Sequence, residues 1–288
     1  MSTVAAIDPQ QYVQQAVKQV TALATLPEVT SKIIQTVEDP KSTANQLNKI
    51  VSHDPALVTR ILKVVNSAFY GLPGQIASVE RAIVMLGLNA VKNIAVAASL
   101  GQLFRGVKLC EGYTAKDLWT HCVSVAVVAR ELAKQMKSPI ADEAFLAGMI
   151  HDLGILVSLQ TNPEQLRETC ELARTSGRDL CEVEREMTGV DHQMLGMALA
   201  EHWKFPRSCQ LVAGFHHKPE TLADSNGLLV SLVYVADTLC CQEQQGFSLT
   251  AAHQDLNALT LEPRPDAAMI EHVRADLPKL LSDASSMF

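Results

Sequence analysis

The sequence predicts an all-α protein, and three observations carry that reading. Apolar residues recur at helical steps of three and four through most of its 288 residues. No stretch alternates at period two for more than a few residues, and Val-rich runs such as Val123–Val128 are embedded in helical surroundings. Capping residues and prolines stand where those periodic runs start and stop.

In chain order, Val13, Val17, Val20 and Ala24 form one apolar stripe. Val29, Ile33, Ile34 and Val37 form a second, which Asp39-Pro40 ends. Ser42 is the expected N-cap of a helix carrying Leu47, Ile50 and Val51. Asp54 caps the next, with Pro55 at its first position, where the missing N–H costs nothing. That helix runs through Leu57, Val58, Ile61, Leu62 and Val65, and Tyr70–Gly74 is a loop with two breakers. Ser78 opens a helix through Ile83 and Leu86 to Gly87, and residues 88–104 form another, rich in alanine and valine. The pattern breaks between Arg105 and Tyr113, which divides a helical N-terminal lobe (8–108) from a second helical lobe (109–245). Helices are expected there at about 115–136, 140–159, 163–175, 179–187, 190–203, 207–217 and 226–241. After Gly246 the chain turns polar, and residues 246–288 read as a C-terminal extension ending in one or two outer helices.

Apolar residues at 48% and charged residues at 19% describe a folded chain rather than a disordered one. A formal charge of −7 without a run of Lys or Arg argues against a nucleic-acid partner. Seven cysteines, an odd count without C-x-x-C spacing, read as reduced thiols. The run Val4–Ile7 is too short for a signal-peptide core. The apolar stretches fall below the roughly 18 residues of a membrane helix. The expectation is a soluble, cytoplasmic protein with no membrane partner.

One group of residues resists a packing explanation: His121, His151, Asp152, His192, His216, His217 and Asp237. Asp237 is the only charge between Gly227 and Cys240. A lone carboxylate on an apolar helix is costly to bury unless paired, hydrogen-bonded or bound to a metal. Imidazoles with carboxylates are the ligand mix of a divalent transition-metal site, and five helices carrying one or two such groups each suit a bundle-core centre. Each member alone has a plainer explanation. A single histidine on an apolar helix is usually a satisfied core residue; His216–His217 suits a C-cap; Asp237 suits one hydrogen bond to a histidine. His53–Asp54 is fully accounted for by the N-cap and receives no chemistry, nor do His202, His253 and His272.

The order His121, His151–Asp152, Asp237 resembles the HD superfamily of metal-dependent phosphohydrolases, and His192 with His216–His217 resembles the extended ligand set of its HD-GYP branch. Leu26-Pro27, Asp54-Pro55-Ala56-Leu57, Arg60-Ile61-Leu62, Val65–Tyr70 and Ala82-Ile83 with Leu86-Gly87 resemble the HDOD family of HD-related output domains. His192, Leu195-Gly196, Leu199, Trp203, Pro206 and His216-His217 are similar to that family's later part. The resemblance implies an HD-like metal-binding lobe and a centre of one or two divalent ions (Mn, Fe, Co, Ni, Zn or Mg) held by the seven residues. It implies a bacterial signal-transduction module acting through protein partners. The alternative it carries is a metal-dependent phosphohydrolase acting on a nucleotide or other phosphate-containing small molecule. Two departures weigh against cyclic-dinucleotide hydrolysis. Ile155 stands where active HD motifs carry a phosphate-neutralising lysine, and His217 leads into Lys218-Pro219-Glu220 rather than Gly-Tyr-Pro.

Overall fold

Short polar side chains decide where the first helices begin. A computed structural model describes residues 8–23, 28–37, 39, 41–104, 108–222, 227–284 and 287. Val4–Ile7, Ala24, Leu26-Pro27, Pro40 and Arg105 from the sequence reading lie outside them. From Pro9 to Leu100 the chain forms α1 (Pro9–Leu23), α2 (Glu28–Val37), α3 (Ala44–Ser52), α4 (Pro55–Val65), α5 (Val79–Leu86) and α6 (Leu88–Leu100). Thr43, not Ser42, caps α3. Its hydroxyl accepts from the Gln46 N–H at 3.3 Å and its own N–H donates to the Gln46 side chain at 2.8 Å, a reciprocal capping box. Ser42 instead meets the buried amine of Lys92. Asp54 and Ser78 cap α4 and α5 as expected. Helix α6 is buried nearly all round; it packs on α2, α4 and α5 and on the helix over Ala141–Ile150.

The expected helix over 88–104 ends at Leu100, and Gly101–Phe104 tightens into a 3-10 turn. At the predicted lobe boundary the chain forms a small antiparallel pair, β1 (Lys108–Cys110) and β2 (Tyr113–Thr114), turning at Gly112. Period-two reading missed it because two or three residues are too few to show alternation.

From Ala115 to Gln242 the described residues form α7 (Ala115–Gln135), α8 (Ala141–Ile150), α9 (Leu153–Thr161), α10 (Pro163–Ser176), α11 (Leu180–Thr188), α12 (His192–His202), α13 (Arg207–Phe215) and α14 (Gly227–Gln242). These match the sequence ranges within a few residues, with one exception. The helix expected over 140–159 is two helices broken at His151–Asp152. Together Ala141–Thr161 is long and apolar enough to cross a membrane by length and composition, contrary to the sequence expectation, but 83% of its apolar 18-residue window is buried inside this protein. It is the centre of the bundle. Beyond Gly246, α15 (Ala267–Ala284) lays Val273 and Leu277 inward and packs on α7. All seven cysteines are buried and outside any disulfide.

Three features tie the parts together. Helix α1 packs on α9 and α12. The loop after α4 is clamped by Asn66, whose amide donates to the Ile76 carbonyl at 2.8 Å and accepts from its N–H at 2.7 Å. From this loop Phe69 and Tyr70 lie 5.0 and 4.8 Å from the Arg130 guanidinium of α7, which also donates to Asp142 at 3.2 Å.

Candidate metal centre

Close backbone approach brings the ligand-bearing helices together. A Cβ on Gly148 would lie 2.6 Å from the Ala126 Cα, so α8 rests directly on α7, the helix of His121. A Cβ on Gly154 would lie 1.8 Å from the His192 carbonyl oxygen, and Gly196 faces Gly154 across the same contact. The start of α9 is thereby pressed onto the start of α12. Both glycines permit the approach, and Gly154 is the more demanding of the two.

All seven predicted residues converge. Six are fully buried, and His217 retains 8% exposure. They form two interlocking groups: His121, His151 and Asp237, and Asp152, His192, His216 and His217. Asp152 joins them. Its Oδ2 lies 3.3 and 3.7 Å from the Nε2 atoms of His151 and His121, and its Oδ1 lies 3.5 Å from those of His192 and His216. Asp237 lies 3.1 Å from His121 Nε2 and 3.5 Å from His217 Nδ1.

The hydrogen bonds outside the cluster decide which ring nitrogens point inward. His151 Nδ1–H donates to the Gly148 carbonyl at 2.7 Å and His216 Nδ1–H to the Val212 carbonyl at 3.0 Å. His192 Nδ1–H donates to Glu184 Oε2 at 2.7 Å, and the same oxygen accepts the His192 backbone N–H at 2.9 Å. A neutral imidazole that donates from Nδ1 presents a lone pair at Nε2. Those lone pairs face His121 Nε2 at 3.2 Å and His217 Nε2 at 2.9 Å, so a proton or a cation must lie between each pair.

Among the described residues, both oxygens of Asp152, Oδ2 of Asp237 and Nε2 of His216 have no hydrogen-bond partner. Buried acceptors left open in this way cost free energy unless a cation satisfies them. The donor set therefore fits one or two divalent ions, with Nε2 atoms inward and Nδ1 atoms anchored outside, the arrangement by which proteins orient metal-binding histidines.

The protonation preferences describe the same field. Burial pushes Asp152 and Asp237 up, but the surrounding imidazoles outweigh it and hold both below the usual carboxylate range. Burial pulls His151 down, but Asp152 and Asp237 raise it to about 8. His192 is likewise pulled down by burial and carried well above its ordinary value by Cys181 and Glu184. Burial and neighbouring imidazoles lower His216 and His217, so these two are neutral at neutral pH.

Sequence reasoning missed Glu184, Gln193 and Gln254. Glu184 holds His192, Gln193 accepts the His217 backbone N–H at 3.0 Å, and Gln254 lies 2.9 Å from His217 Nδ1. Nothing in the sequence marks them. Glu184 sits between Glu182 and Glu186 like any member of a solvated charge run, yet it is buried, with its carboxylate on the ring and backbone N–H of His192. Asp117, which shares a face with His121, is spent on the α7 capping box with Thr114.

An HDOD domain model matches residues 23–219. A Treponema pallidum (strain Nichols) protein described as uncharacterized is 27% identical over 217 residues. That is 74% of this chain and 41% of the relative, so the chain spans about two fifths of the relative's length. An HDOD domain protein of unknown function from Geobacter sulfurreducens shares the fold with a TM-score of 0.82 at 19% identity, over 98% of this chain and 99% of its own. A Shewanella amazonensis SB2B protein provisionally named a phosphohydrolase gives 0.73 at 24% identity, over 94% and 96%. The all-helical architecture and the match over residues 23–219 agree with the motifs around Asp54 and His192: this chain belongs to the HDOD domain family.

Proposed function

We propose that this chain is a signal-transduction output module whose buried His/Asp centre binds one or two divalent ions and whose regulatory activity is exerted through protein partners. The observation that carries the reading is enclosure. Six of the seven donor residues are fully buried, and only an edge of His217 meets solvent. A phosphate ester has no direct path to such a centre, whereas an ion held there stabilises one packing of α7, α8, α9, α12, α13 and α14.

His121, His151 and Asp237 would hold one ion, His192, His216 and His217 the other, and Asp152 would touch both. A divalent ion at such a site supplies Lewis-acid character to a phosphoryl oxygen. The chain's own contribution to phosphate chemistry is poor, because the lysine position is Ile155, fully buried and apolar. The output face is the junction around Asn66–Pro73, where Phe69 and Tyr70 grip Arg130 and changes in the second lobe reach the first.

Elemental analysis and a hydrolysis assay on wild type and the His151→Ala/Asp152→Ala double variant test this. Cyclic dinucleotides, nucleoside monophosphates and a generic phosphodiester serve as substrates, with Mn or Fe supplied. The wild type should carry metal and the double variant none, with no turnover above the double variant. Robust turnover that vanishes with the two side chains makes the chain a phosphohydrolase. Absence of metal from the wild type ends the metal reading.

A further inference from the structure

Away from the metal centre, two buried cysteines from distant parts of the chain meet where β1 packs on α10. Cys110 ends β1, and Cys170 lies midway along α10. The Cys170 S–H donates to the Cys110 sulfur, which also lies 3.6 Å from the Glu111 carbonyl. Arg174, one helical turn after Cys170, pairs with Glu171 and lies 3.6 Å from the Glu111 carboxylate. It therefore fastens the residue next to Cys110 to the helix face that carries Cys170. Glu111 and Gly112, at the turn that follows Cys110, are exposed. Strands of two and three residues have little stability of their own, so this turn can open while the bundle stays folded.

The surroundings treat the two thiols differently. The Cys170 S–H holds Cys110 below the ordinary thiol range; Arg174 and Lys108 act in the same direction, against burial and Glu171. Cys170 is pushed well up by the same hydrogen bond, by burial, and by the charges of Cys110, Glu184 and Glu171. Burial also raises Cys122, Cys240 and Cys241, and it pushes Cys181 up to about 12. The thiolate is the nucleophile in thiol oxidation, and a second thiol in contact is what turns the first product into a disulfide. Both parts stand together here.

We propose that Cys110 and Cys170 form a peroxide-oxidisable dithiol, with Cys110 the sulfur attacked first and Cys170 the one that closes the disulfide. The Cys110 thiolate attacks one oxygen of hydrogen peroxide. The O–O bond breaks, hydroxide leaves and takes up a proton to become water, and Cys110 becomes a sulfenic acid. The Cys170 sulfur, giving up its proton, then attacks the Cys110 sulfur; the S–O bond breaks and a second water leaves. Two thiols and one peroxide thus give one disulfide and two waters, sulfur being oxidised and the peroxide oxygens reduced. The product staples the hairpin that leads into α7, the helix of His121, to α10.

The test exposes the reduced full-length protein to hydrogen peroxide, blocks remaining thiols by alkylation and maps them by mass spectrometry. Wild type should give one linked peptide pair, Cys110–Cys170, in protein that keeps its melting transition, and a dithiol reductant should reverse it. Cys170→Ser should stop at a sulfenic acid on Cys110, trapped with dimedone. Cys110→Ser should cut dimedone labelling of Cys170 about 10-fold or more relative to that of Cys110 in Cys170→Ser. A link between other cysteines, sulfenic acid formed first on Cys170, or oxidation only after the protein is denatured overturns the proposal. If either serine variant fails to fold, the wild-type map decides: the Cys110–Cys170 link in folded protein sustains the proposal, and two unmodified thiols there sink it.

Discussion

This chain contains two His-Asp dipeptides in the same local setting with opposite fates. In each, the histidine is the C-cap of one helix and the aspartate stands at the N-cap of the next: His53–Asp54 between α3 and α4, His151–Asp152 between α8 and α9. Asp54 is extended (φ −126°, ψ 91°), and its carboxylate accepts the Leu57 N–H at 2.9 Å. Asp152 is not (φ −94°, ψ 20°); it caps nothing, and its carboxylate turns into the cluster instead. His53 is exposed and His151 fully buried, yet both rings bond a carbonyl of their preceding helix through Nδ1. Local sequence therefore supplies a helix break and a ring anchor in both places. What differs is the packing outside: α4 starts at the surface, while α9 starts against the backbone of α12.

The largest effect is expected two residues after each aspartate. Ala56 is exposed, whereas a Cβ at Gly154 would strike the His192 carbonyl. Gly154→Ala should cost about 3 kcal/mol or more by forcing α9 away from α12, and Ala56→Gly about 1 kcal/mol from helix propensity alone. Urea denaturation of both variants measures this. Equal costs would mean that the α9–α12 contact does not constrain the site.

Next comes the aspartate itself. In protein saturated with metal at about 100 times Kd, the ion contributes about 2.7 kcal/mol. Asp152→Ala should abolish that metal-dependent part, so that a chelator no longer lowers the melting temperature. Asp54→Ala should lose about 1 kcal/mol of capping energy with or without chelator. A chelator effect surviving in Asp152→Ala would remove that residue from the centre.

The smallest effect is in pH, and its sign depends on metal. In the metal-free protein His151 is raised from 6.5 to about 8, and His192 is raised as well. The stability from His151 is complete below about pH 6.5 and is lost as pH rises through about 8, a contribution on the order of 2 kcal/mol. His216 and His217, lowered by burial, act in the opposite window and cost stability only as pH falls below about 6.5. Metal requires deprotonated rings, so loaded protein should gain stability with pH over the interval in which metal-free protein loses it. Melting curves from pH 6.5 to 8.5 with and without a chelator check this; parallel slopes would show that the ion does not bind these imidazoles.

The sequence by itself determined the helical class, nearly every helix boundary and the membership of the cluster. Those properties are written in local terms: the periodicity of Ile33, Ile34 and Val37, the caps at Asp54 and Ser78, and a single charge in the apolar run around Asp237. The family resemblance added which histidines belong with which aspartates. Only the tertiary structure decided that α8 and α9 break at His151–Asp152, that Asp152 joins the two groups, and that Glu184 and Gln254 hold the rings from outside. These depend on which backbone lies against which. Glu184 and Glu182 are the same residue type two positions apart on one helix, and one is buried against His192 while the other is exposed. Burial is a property of the neighbour as much as of the residue, and the neighbour is chosen by the fold.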